Sequence, residues 1–520
     1  MRATEMNDRL LQANHLNKEG APSFERSLEE DVLSLLVCNT LSNTFYVGKK
    51  EIQKETLDVF KEITEKNPTF FADAIVYARN NGLMRFSPIV GLVVLSTAKD
   101  KSYFKKIFSK VILIPDDIRE FVQLCRNKNI RQGLGGAALD ETKKYLSKLS
   151  EYHAVKYGGE SEGMSLRDVL RMSHPKPANK NQEEIYKWLV KGWESVGSEP
   201  SQTTPIIWAL ETIKRTSDED IICNLITTYN LTWEVVVPSV KKMTPKIWTA
   251  LLQKMPYMAT LRNLNTMDRN GVFKDKSNVD LVIERLSKRE NVLKSKQLPF
   301  RFYSAHREFK GNQQIQDAIV DALELSSENV EQIDVPVCIA NDISGSMRST
   351  VSDKSSIRYC DITAILSACM LKRCKDVTVL SFNDEVQVPK VSQRDSIMTT
   401  TQKLSRTEGS TDLGAPIRYL TDKKQKVDIF IGITDNEDWS GHGFLNDWKD
   451  YQRQVNKNAK AFLINIAPYR DYVAPPSEKS VHFISGWNDS VLKYIQLKLK
   501  LDQMSVEDFI KSSIKLSTKE

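Results

Sequence analysis

The chain has 520 residues with a mean hydropathy of −0.40, and 40% of the residues are apolar while 27% are charged. This composition predicts a globular protein of about three or four domains, since a domain holds about 150 residues. No apolar run approaches the roughly 20 residues that a membrane span needs, and the polar first thirty residues lack a secretory signal, so we expect a cytoplasmic protein.

The formal net charge of +7 is unevenly distributed along the chain. Residues 1–330 contain 48 Lys and Arg against 42 Asp and Glu, whereas residues 331–520 contain 26 against 25. So small an excess does not establish nucleic-acid binding, because clustering of charge on one face matters more than the sum, but it indicates the N-terminal part as the place to look for it.

Common metal and catalytic motifs are missing from the sequence. The seven cysteines form no C-x-x-C pair and lie mostly in apolar stretches, so we expect buried free thiols. The six histidines show no metal-ligand spacing, and the sequence contains no G-x-x-x-x-G-K-[ST], H-E-x-x-H or G-x-S-x-G motif. A metal-dependent phosphohydrolase would still need a nucleophile or general base, and none is evident.

Amphipathic helices are predicted throughout residues 24–330, where apolar residues recur at helical spacing. The segment beginning Thr204-Pro205-Ile206-Ile207-Trp208 is echoed 40 residues later by Thr244-Pro245-Lys246-Ile247-Trp248. A period of about 40 is typical of HEAT-like repeats, in which stacked helix pairs share a continuous core. The alternative is that the echo shows only two similar helix starts, with Thr as cap and Pro in the first turn.

An alternation of strands and helices begins after a polar connector at 325–334. Nearly continuous apolar runs predict buried strands at 335–342, 377–382, 427–435, 459–468 and 481–487, and helical patterns lie between them at 357–374, 413–424, 446–455 and 489–500. This order predicts a doubly wound α/β domain with a mostly parallel sheet. Ligands of such sheets bind at the carboxyl ends of the strands.

Oxygen-bearing side chains follow the predicted strands at that edge. They are Asp342, Ser344 and Ser346 in a D-x-S-x-S turn, Thr411 in a glycine-bearing loop, and Asp435 after a later strand. Carboxylates and hydroxyls suit Mg²⁺, Mn²⁺ or Ca²⁺ and disfavour zinc. The set resembles the metal-ion-dependent adhesion site (MIDAS) of von Willebrand factor A domains, where the ion keeps an open position for a partner's carboxylate. The alternative is that the serines cap the next helix and that Asp435 belongs to a turn.

Several other segments resemble the Ro autoantigen family, in which a TROVE module precedes a von Willebrand A domain. They are TFYV (44–47), VYARNNGLMRFSP (76–88), IRQGLGG (130–136), LRDVLRMSHPKP (166–177), WTALLQKMPYMATLRNLNTM (248–267), GSTDLGAPI (409–417) and FIGITDNEDW (430–439). The resemblance implies an α + α/β fold, with a HEAT-like helical-repeat ring followed by a doubly wound, Rossmann-like von Willebrand A domain. It also implies that structured noncoding Y RNA binds the outer face of the ring and that single-stranded 3′ ends of misfolded RNA enter its hole. A 3′-to-5′ exoribonuclease is a possible partner in bacterial relatives.

Candidate RNA contacts follow from these segments. For the outer face they are Arg167, Arg171, His174 and Lys176, where a helix ends in a proline-stiffened turn, together with Lys156 at the family's basic Y RNA position. For the hole they are Arg85, Arg126, Lys128, Arg131, Arg262 and Asn263. The plain alternative for His174 is a helix-terminal histidine beside its own carbonyls, and for the scattered lysines a solvated face.

The expected organisation is an N-terminal segment (1–23), an RNA-binding TROVE ring (24–330), a von Willebrand A domain with its adhesion site (331–505) and a C-terminal tail (506–520) whose last residues, 512–520, we expect to be disordered. We expect a monomeric, non-enzymatic scaffold that acts in RNA quality control and holds Mg²⁺ or Mn²⁺. The alternative is a metal-dependent protein-interaction module whose helical half has no RNA role.

Overall fold

The computed structural model describes residues 15–16, 22–25, 27–37, 49–159, 163–297, 299–329, 332–351, 355–435, 443–467, 471–475, 478–486, 495 and 505–517. The chain packs as two compact units. The sheet unit contains Met1–Pro88, Lys296–Ser304 and Val320–Glu520, and the helical unit contains Ile89–Ser295 and Ala305–Ile319. These units are defined by compactness, and their limits differ from residue 330, the predicted boundary between the TROVE ring and the von Willebrand A domain. The predicted domain boundary is not tested by this division and stays a prediction.

Short helices dominate the chain as far as residue 326, as the apolar periodicity predicts. They are α1 (Leu28–Val37), α2 (Lys49–Lys66), α3 (Pro68–Asn80), α4 (Phe86–Leu95), α5 (Ser102–Val111), α6 (Pro115–Cys125), α7 (Gly136–Leu146), α8 (Glu151–Tyr157), α9 (Leu166–Ser173), α10 (Lys180–Lys191), α11 (Pro205–Arg215), α12 (Glu219–Tyr229), α13 (Trp233–Val236), α14 (Pro245–Lys254), α15 (Tyr257–Arg269), α16 (Lys276–Ser287), α17 (Arg289–Ser295), α18 (Pro299–Glu308) and α19 (Gln313–Ser326). Two short strands, β1 (His15–Leu16) and β2 (Pro22–Glu25), precede them and were not predicted.

The two T-P-x-I-W segments both start helices, α11 at Pro205 and α14 at Pro245. The Thr244 hydroxyl oxygen accepts the Ile247 N–H at 3.3 Å, whereas the side chain of Thr204 makes no such capping bond. Both threonine hydroxyls also donate to a glutamate of an earlier helix, Thr204 to Glu184 at 2.9 Å and Thr244 to Glu219. The echo therefore extends to a shared packing contact, as expected of a helical repeat.

The sheet unit contains a six-stranded sheet with the order β5-β4-β3-β6-β7-β9. Its strands are β3 (Val337–Asp342), β4 (Val377–Phe382), β5 (Val386–Gln387), β6 (Ile429–Thr434), β7 (Lys460–Asn465) and β9 (Val481–Ser485), while β8 (Asp471–Tyr472) pairs with β2 in a second, small sheet. Neighbours in the large sheet are parallel except for β5, which runs antiparallel to β4. The predicted doubly wound architecture is confirmed.

Helices cover the sheet as predicted, with one addition. They are α20 (Tyr359–Arg373), α21 (Ile397–Leu404), α22 (Ala415–Asp422) and α23 (Phe444–Gln454), of which α21 was not predicted. Helix α23 packs its buried aromatic rings on the sheet, where Trp448 stacks between Phe444 at 6.0 Å and Tyr451 at 5.7 Å, measured between ring centroids. The helix predicted at 489–500 lies outside the described residues apart from residue 495.

The C-terminal residues correct one expectation, because the tail predicted to be disordered from residue 512 is helical through Ser517. Helix α24 (Val506–Ser517) packs Phe509 against Tyr77 of α3 with ring centroids 5.3 Å apart, and Glu507 accepts a hydrogen bond from the Asn67 amide at 3.1 Å. Among the described residues no helix is long and apolar enough to cross a membrane.

Candidate functional site

The D-x-S-x-S turn begins where β3 ends, and its first carboxylate is completely buried. The Oδ1 atom of Asp342 accepts the Ser344 N–H at 2.8 Å, and its Oδ2 atom accepts the hydroxyl of Thr434 at 2.6 Å. Burial raises the pKa of Asp342, although the hydrogen bonds from Ser344 and Thr434 act in the opposite direction. A buried carboxylate of this kind is costly to ionise unless a cation compensates its charge.

The hydroxyls of the two serines in the turn lie next to each other, and Ser344 does not act as a helix cap. Their hydroxyl oxygens lie 3.2 Å apart, both residues are buried, and the side chain of Ser344 makes no capping hydrogen bond to the short 3₁₀ turn Gly345–Arg348 that follows. The capping alternative for Ser344 is therefore not supported. The two hydroxyls instead face one another beside Asp342.

The loop that carries Thr411 is tied to this turn by backbone hydrogen bonds. The Gly345 N–H donates to the carbonyl of Gly409 at 3.1 Å, and the Glu408 N–H donates to the carbonyl of Ile343 at 2.7 Å. Gly409 has a φ of +74°, and a Cβ there would lie 2.6 Å from the amide nitrogen of Asn383, so the close approach requires glycine. Thr411 itself is buried.

Asp435, the last predicted ligand, follows β6, which lies next to β3 in the sheet. It is fully buried, and the preceding Thr434 links β6 to Asp342 through its hydroxyl. All five predicted residues therefore lie at the carboxyl edge of neighbouring strands and loops. Two carboxylates and three hydroxyls form a hard-oxygen donor set that fits Mg²⁺ or Mn²⁺. Within the described part of the chain, no cluster of three or more His, Cys, Asp or Glu side chains is arranged to hold a metal ion, so a cation at this edge would depend on the hydroxyls as well as on the two carboxylates.

An ion-paired cluster beside Thr411 was missed by the sequence reasoning. The guanidinium of Arg418 contacts Asp412 Oδ2 at 2.6 Å through Nη2 and Asp447 Oδ2 at 2.5 Å through Nη1. Both carboxylates are nearly buried, and Asp412 Oδ1 also accepts the N–H groups of Gly414 and Ala415. Arg418 thereby fixes the residue that directly follows Thr411. The only sequence signal was an arginine six residues after an aspartate in the same loop and helix.

A groove of about 770 Å³ in the helical unit brings together two candidate RNA contacts from different motifs. Its lining residues are Gln123, Leu124, Arg126, Asn127, Gly163, Met164, Asp168, Arg171 and Met172. Arg126 ends α6 and Arg171 lies in the last turn of α9, and both are exposed. The sequence reasoning assigned these two arginines to different surfaces, whereas the structure places them around one groove.

The acidic residue of this groove is already engaged. Asp168 forms a capping box with Ser165, whose N–H and hydroxyl donate to Asp168 Oδ2 at 3.0 and 2.6 Å. These hydrogen bonds lower the pKa of Asp168, so its carboxylate is ionised and oriented toward its own helix start. The arginines thus supply the cations that the groove can offer a ligand.

The other outer-face candidates lie near the end of α9 or on α8. His174 is exposed and ends α9 in the left-handed conformation (φ 46°), with its N–H bonded to the Leu170 carbonyl, and Lys176 is exposed after it. Arg167 is exposed but donates through Nε to the Leu189 carbonyl at 2.9 Å. Lys156 is half-buried on α8, and its Nζ lies 3.3 Å from a carboxylate oxygen of Glu234.

The candidates expected in the hole are distributed over both units. Arg85 belongs to the sheet unit, whereas the exposed Lys128 and Arg262 belong to the helical unit. Arg131 is half-buried, donating through Nε to the Gly133 carbonyl at 2.7 Å and through Nη1 to the Ser96 carbonyl at 3.3 Å. Asn263 is buried, and its amide donates to the Ala259 carbonyl at 2.8 Å. These contacts give Arg131 and Asn263 structural roles and argue against them as RNA contacts.

The excess of positive over negative charge lies in the helical unit. Its residues include 35 Lys and Arg against 26 Asp and Glu, a formal charge of +9, while the sheet unit carries 39 against 41. A polyanionic partner would therefore be attracted to the helical unit, which also contains the arginine groove.

Helical repeats followed by a doubly wound sheet with a D-x-S-x-S edge define a protein that joins a repeat scaffold to a von Willebrand A domain. Comparisons with known families agree, because residues 228–402 match the TROVE domain and residues 336–497 match the Ro60 vWA domain. The chain belongs to the Ro protein family.

Similar proteins support this assignment over most of the chain. The chain is 23% identical over 513 residues to the RNA-binding protein RO60 of Deinococcus radiodurans, covering 92% of this chain and 94% of that protein. It is 24% identical over 456 residues to the RNA-binding protein RO60 of Caenorhabditis elegans, covering 74% of this chain and 70% of that protein. The crystal structure of the Deinococcus radiodurans RO (RSR) protein superposes with a TM-score of 0.69 at 19% identity, covering 91% of this chain and all of that one.

Proposed function

We propose that this chain is a non-enzymatic RNA-binding protein whose helical unit contacts the RNA backbone. The observation that carries the proposal is a groove lined by both Arg126 and Arg171 within a unit of formal charge +9. Paired arginines in a groove suit phosphates, because each guanidinium presents several donors in a planar fork. The names of the relatives, both described as RNA-binding, support the same function.

The polar groups of the groove suggest how RNA would be held. Arg126 and Arg171 would contact phosphates, while the amides of Gln123 and Asn127 at its wall could reach sugar hydroxyls or base edges. Binding of this kind depends more on the backbone than on sequence and weakens steeply with salt. Contacts to phosphates and sugars carry no sequence preference, so any preference of this groove would come from the two amides at its wall.

The finer roles that the Ro resemblance implies remain part of the proposal. We expect one surface for structured, Y-like RNA, where His174, Lys176 and Lys156 contribute, and another for single-stranded 3′ ends of misfolded RNA, where Arg85 and Arg262 contribute. Action in RNA quality control beside a 3′-to-5′ exoribonuclease would follow from the second activity. The exposed positions of His174, Lys176, Arg85 and Arg262 support these assignments.

We propose further that the edge of the large sheet holds a divalent cation, Mg²⁺ or Mn²⁺. Asp342, Ser344, Ser346, Thr411 and Asp435 would hold it directly or through water. When bound, the ion would supply a Lewis-acidic position for a carboxylate of a protein partner. The support for this site is the fit between a buried hard-oxygen donor set and a cation that compensates the charge of Asp342.

The RNA proposal is tested by measuring the affinity of a hairpin RNA with a single-stranded 3′ tail by filter binding at several salt concentrations. The double variant Arg126→Ala with Arg171→Ala should bind RNA more weakly. The slope of the logarithm of the binding constant against the logarithm of the salt concentration should also become less steep by about 1.4 to 1.8, since each phosphate contact contributes about 0.7 to 0.9. The matched control is Arg394→Ala with Arg453→Ala, two exposed arginines of the sheet unit.

Two outcomes would contradict the proposal. Unchanged affinity and slope in the groove variant would show that RNA does not use this groove. The absence of binding by the unaltered protein below micromolar concentrations would instead favour the alternative, a metal-dependent protein-interaction module on a helical scaffold.

A further inference from the structure

Trp193 is a large aromatic side chain on the surface of the helical unit that is not packed into the core. Trp193 is 60% exposed, the highest exposed fraction among the large apolar side chains in the described ranges. It belongs to the 3₁₀ turn Gly192–Ser195 that directly follows α10. Leaving an indole in water forgoes the burial energy that usually keeps tryptophan inside proteins.

The backbone around Trp193 is anchored by hydrogen bonds, which fixes where the side chain leaves the chain. Gly192 adopts φ 69° and ψ −145°, a conformation that favours glycine and that turns the chain out of α10. The Trp193 carbonyl accepts a hydrogen bond from Arg215 Nη2 at 3.4 Å, and the Val196 N–H donates to the same carbonyl at 3.0 Å. Farther along the loop, the Trp208 indole N–H donates to the Ser198 carbonyl at 3.1 Å.

A cation completes this surface. The guanidinium carbon of Arg215, the last residue of α11, lies 5.3 Å from the centroid of the Trp193 ring, which is within cation–π range. Arg215 is exposed, so its charge remains available to a ligand. The structure thus presents an exposed aromatic ring with a positive charge over it, and an aromatic ring and a cation are the two elements that bind unpaired nucleotides.

We propose that Trp193 and Arg215 form a stacking platform for an unpaired base of single-stranded RNA, with Arg215 contacting the adjacent phosphate. This inference rests on the proposed RNA function and adds a second, base-dependent contact to the arginine groove. Single-stranded RNA fits this platform better than a protein does, because the platform carries a cation on a unit of formal charge +9. Stacking on an aromatic ring tolerates any base, since every base has a π-face.

One neighbouring charge opposes the phosphate. Glu194 is exposed next to Trp193, and Lys191 at the end of α10 offsets it formally. Glu194→Gln should therefore strengthen RNA binding by up to about threefold at low salt, because a like charge near the phosphate is removed.

The test uses the full-length protein with two fluorescent probes, a 20-nucleotide oligouridylate and an abasic ribose-phosphate chain of the same length and charge. Dissociation constants come from fluorescence anisotropy. Trp193→Ala should weaken oligouridylate binding about 5- to 100-fold, the usual loss when one stacked base loses its aromatic partner. Binding of the abasic chain and the salt slope should stay unchanged, because stacking releases no counterions.

Three further variants sharpen the result. Trp193→Phe should restore most of the affinity for oligouridylate, since phenylalanine also stacks. Arg215→Gln should weaken both probes and shallow the slope by about 0.7. Val388→Ala, which removes a side chain that is 59% exposed in the sheet unit, is the control for a simple loss of exposed apolar surface and should change nothing.

The outcomes separate this inference from the broader proposal. If the unaltered protein binds oligouridylate and Trp193→Ala binds it equally well, the platform is refuted and the RNA function stands. An equal loss for both probes in Trp193→Ala, or a failure of Trp193→Phe to restore affinity, would also refute stacking. If the unaltered protein binds neither oligouridylate nor the hairpin, the RNA function and this inference fall together.

Discussion

Replacing the carboxylate of Asp342 by an amide should abolish the effect of divalent cations on the stability of the sheet unit. Asparagine keeps the shape of the side chain, so its Oδ1 can still accept the Ser344 N–H, while the Thr434 hydroxyl can turn to accept from Nδ2. The only large change is the loss of a buried negative charge that the proposed cation needs. Asp342→Asn therefore separates metal binding from folding.

The expected size of the effect follows from ligand linkage. A cation present at about 100 times its dissociation constant stabilises the folded state by about 2.7 kcal/mol. For a folding unit of this size, 1 kcal/mol corresponds to about 2 to 4 °C in Tm, so MgCl₂ or MnCl₂ should raise Tm by about 5 to 10 °C in the unaltered protein. In EDTA, Asp342→Asn should be at least as stable as the unaltered protein, because a costly buried charge is gone.

Differential scanning calorimetry in EDTA and in MgCl₂ measures both quantities. Asp450→Asn, an exposed substitution in α23 of the same unit, is the matched control and should keep the full cation effect. A normal cation shift in Asp342→Asn would refute the metal assignment. A loss of more than about 3 kcal/mol in EDTA would show instead that the carboxylate is needed for the fold, as expected when a buried polar partner is lost.

Three other predictions concern the stability of the helical unit and the binding of RNA. Arg131→Ala should lower the free energy of unfolding by about 1 to 3 kcal/mol, by leaving the Gly133 and Ser96 carbonyls without their donor, yet leave the RNA salt slope unchanged in filter binding. Burial raises the pKa of Glu151, which accepts the Ile207 N–H at 2.8 Å, so its contribution to stability is greatest when it is protonated and declines as pH rises from about 4.3 through the raised value. Denaturant unfolding of Glu151→Gln should show no such decline, and equal pH profiles for both proteins would contradict this account. The double variant His174→Ser with Lys156→Ala should weaken the binding of a Y-like structured RNA more than that of a simple tailed RNA. Arg85→Ala with Arg262→Ala should do the reverse. Equal losses of affinity for both RNAs in gel-shift assays would contradict two separate surfaces.

The strands of the sheet unit were readable from the sequence because burial on both faces leaves a continuous apolar run. The strand at 377–382 was predicted with the bounds that the structure shows, and the D-x-S-x-S turn followed from where β3 ends. Helix α21 was missed because its sequence, IMTTTQKL, contains three threonines, which favour helices poorly. It forms because Ser396 caps the Thr399 N–H at 3.0 Å and Glu324 accepts the Ile397 N–H.

The helical repeats show a different limit, since the direction of each side chain depends on helix phase and on distant partners. On α15 the buried positions Thr260, Leu264 and Met267 share a face with Asn263, so the phase of that helix could have indicated that Asn263 points inward. The role of Arg131 could not be read in this way, because it depends on a carbonyl 35 residues away at Ser96.

The arginine groove shows that matching motifs do not reveal which residues share a surface, because that depends on the fold. Arg126 and Arg171 lie 45 residues apart in motifs that the sequence assigned to different surfaces, and only the packing of α6 near α9 unites them. Arg119 on α6 contributes to this packing, since its Nε donates to the Met164 carbonyl just before α9 at 2.8 Å. Arg119→Gln should therefore weaken RNA binding without removing a phosphate contact, leaving the salt slope unchanged while affinity falls. A shallower slope would mean that Arg119 itself meets the RNA, and an unchanged affinity would mean that the groove does not depend on this hydrogen bond.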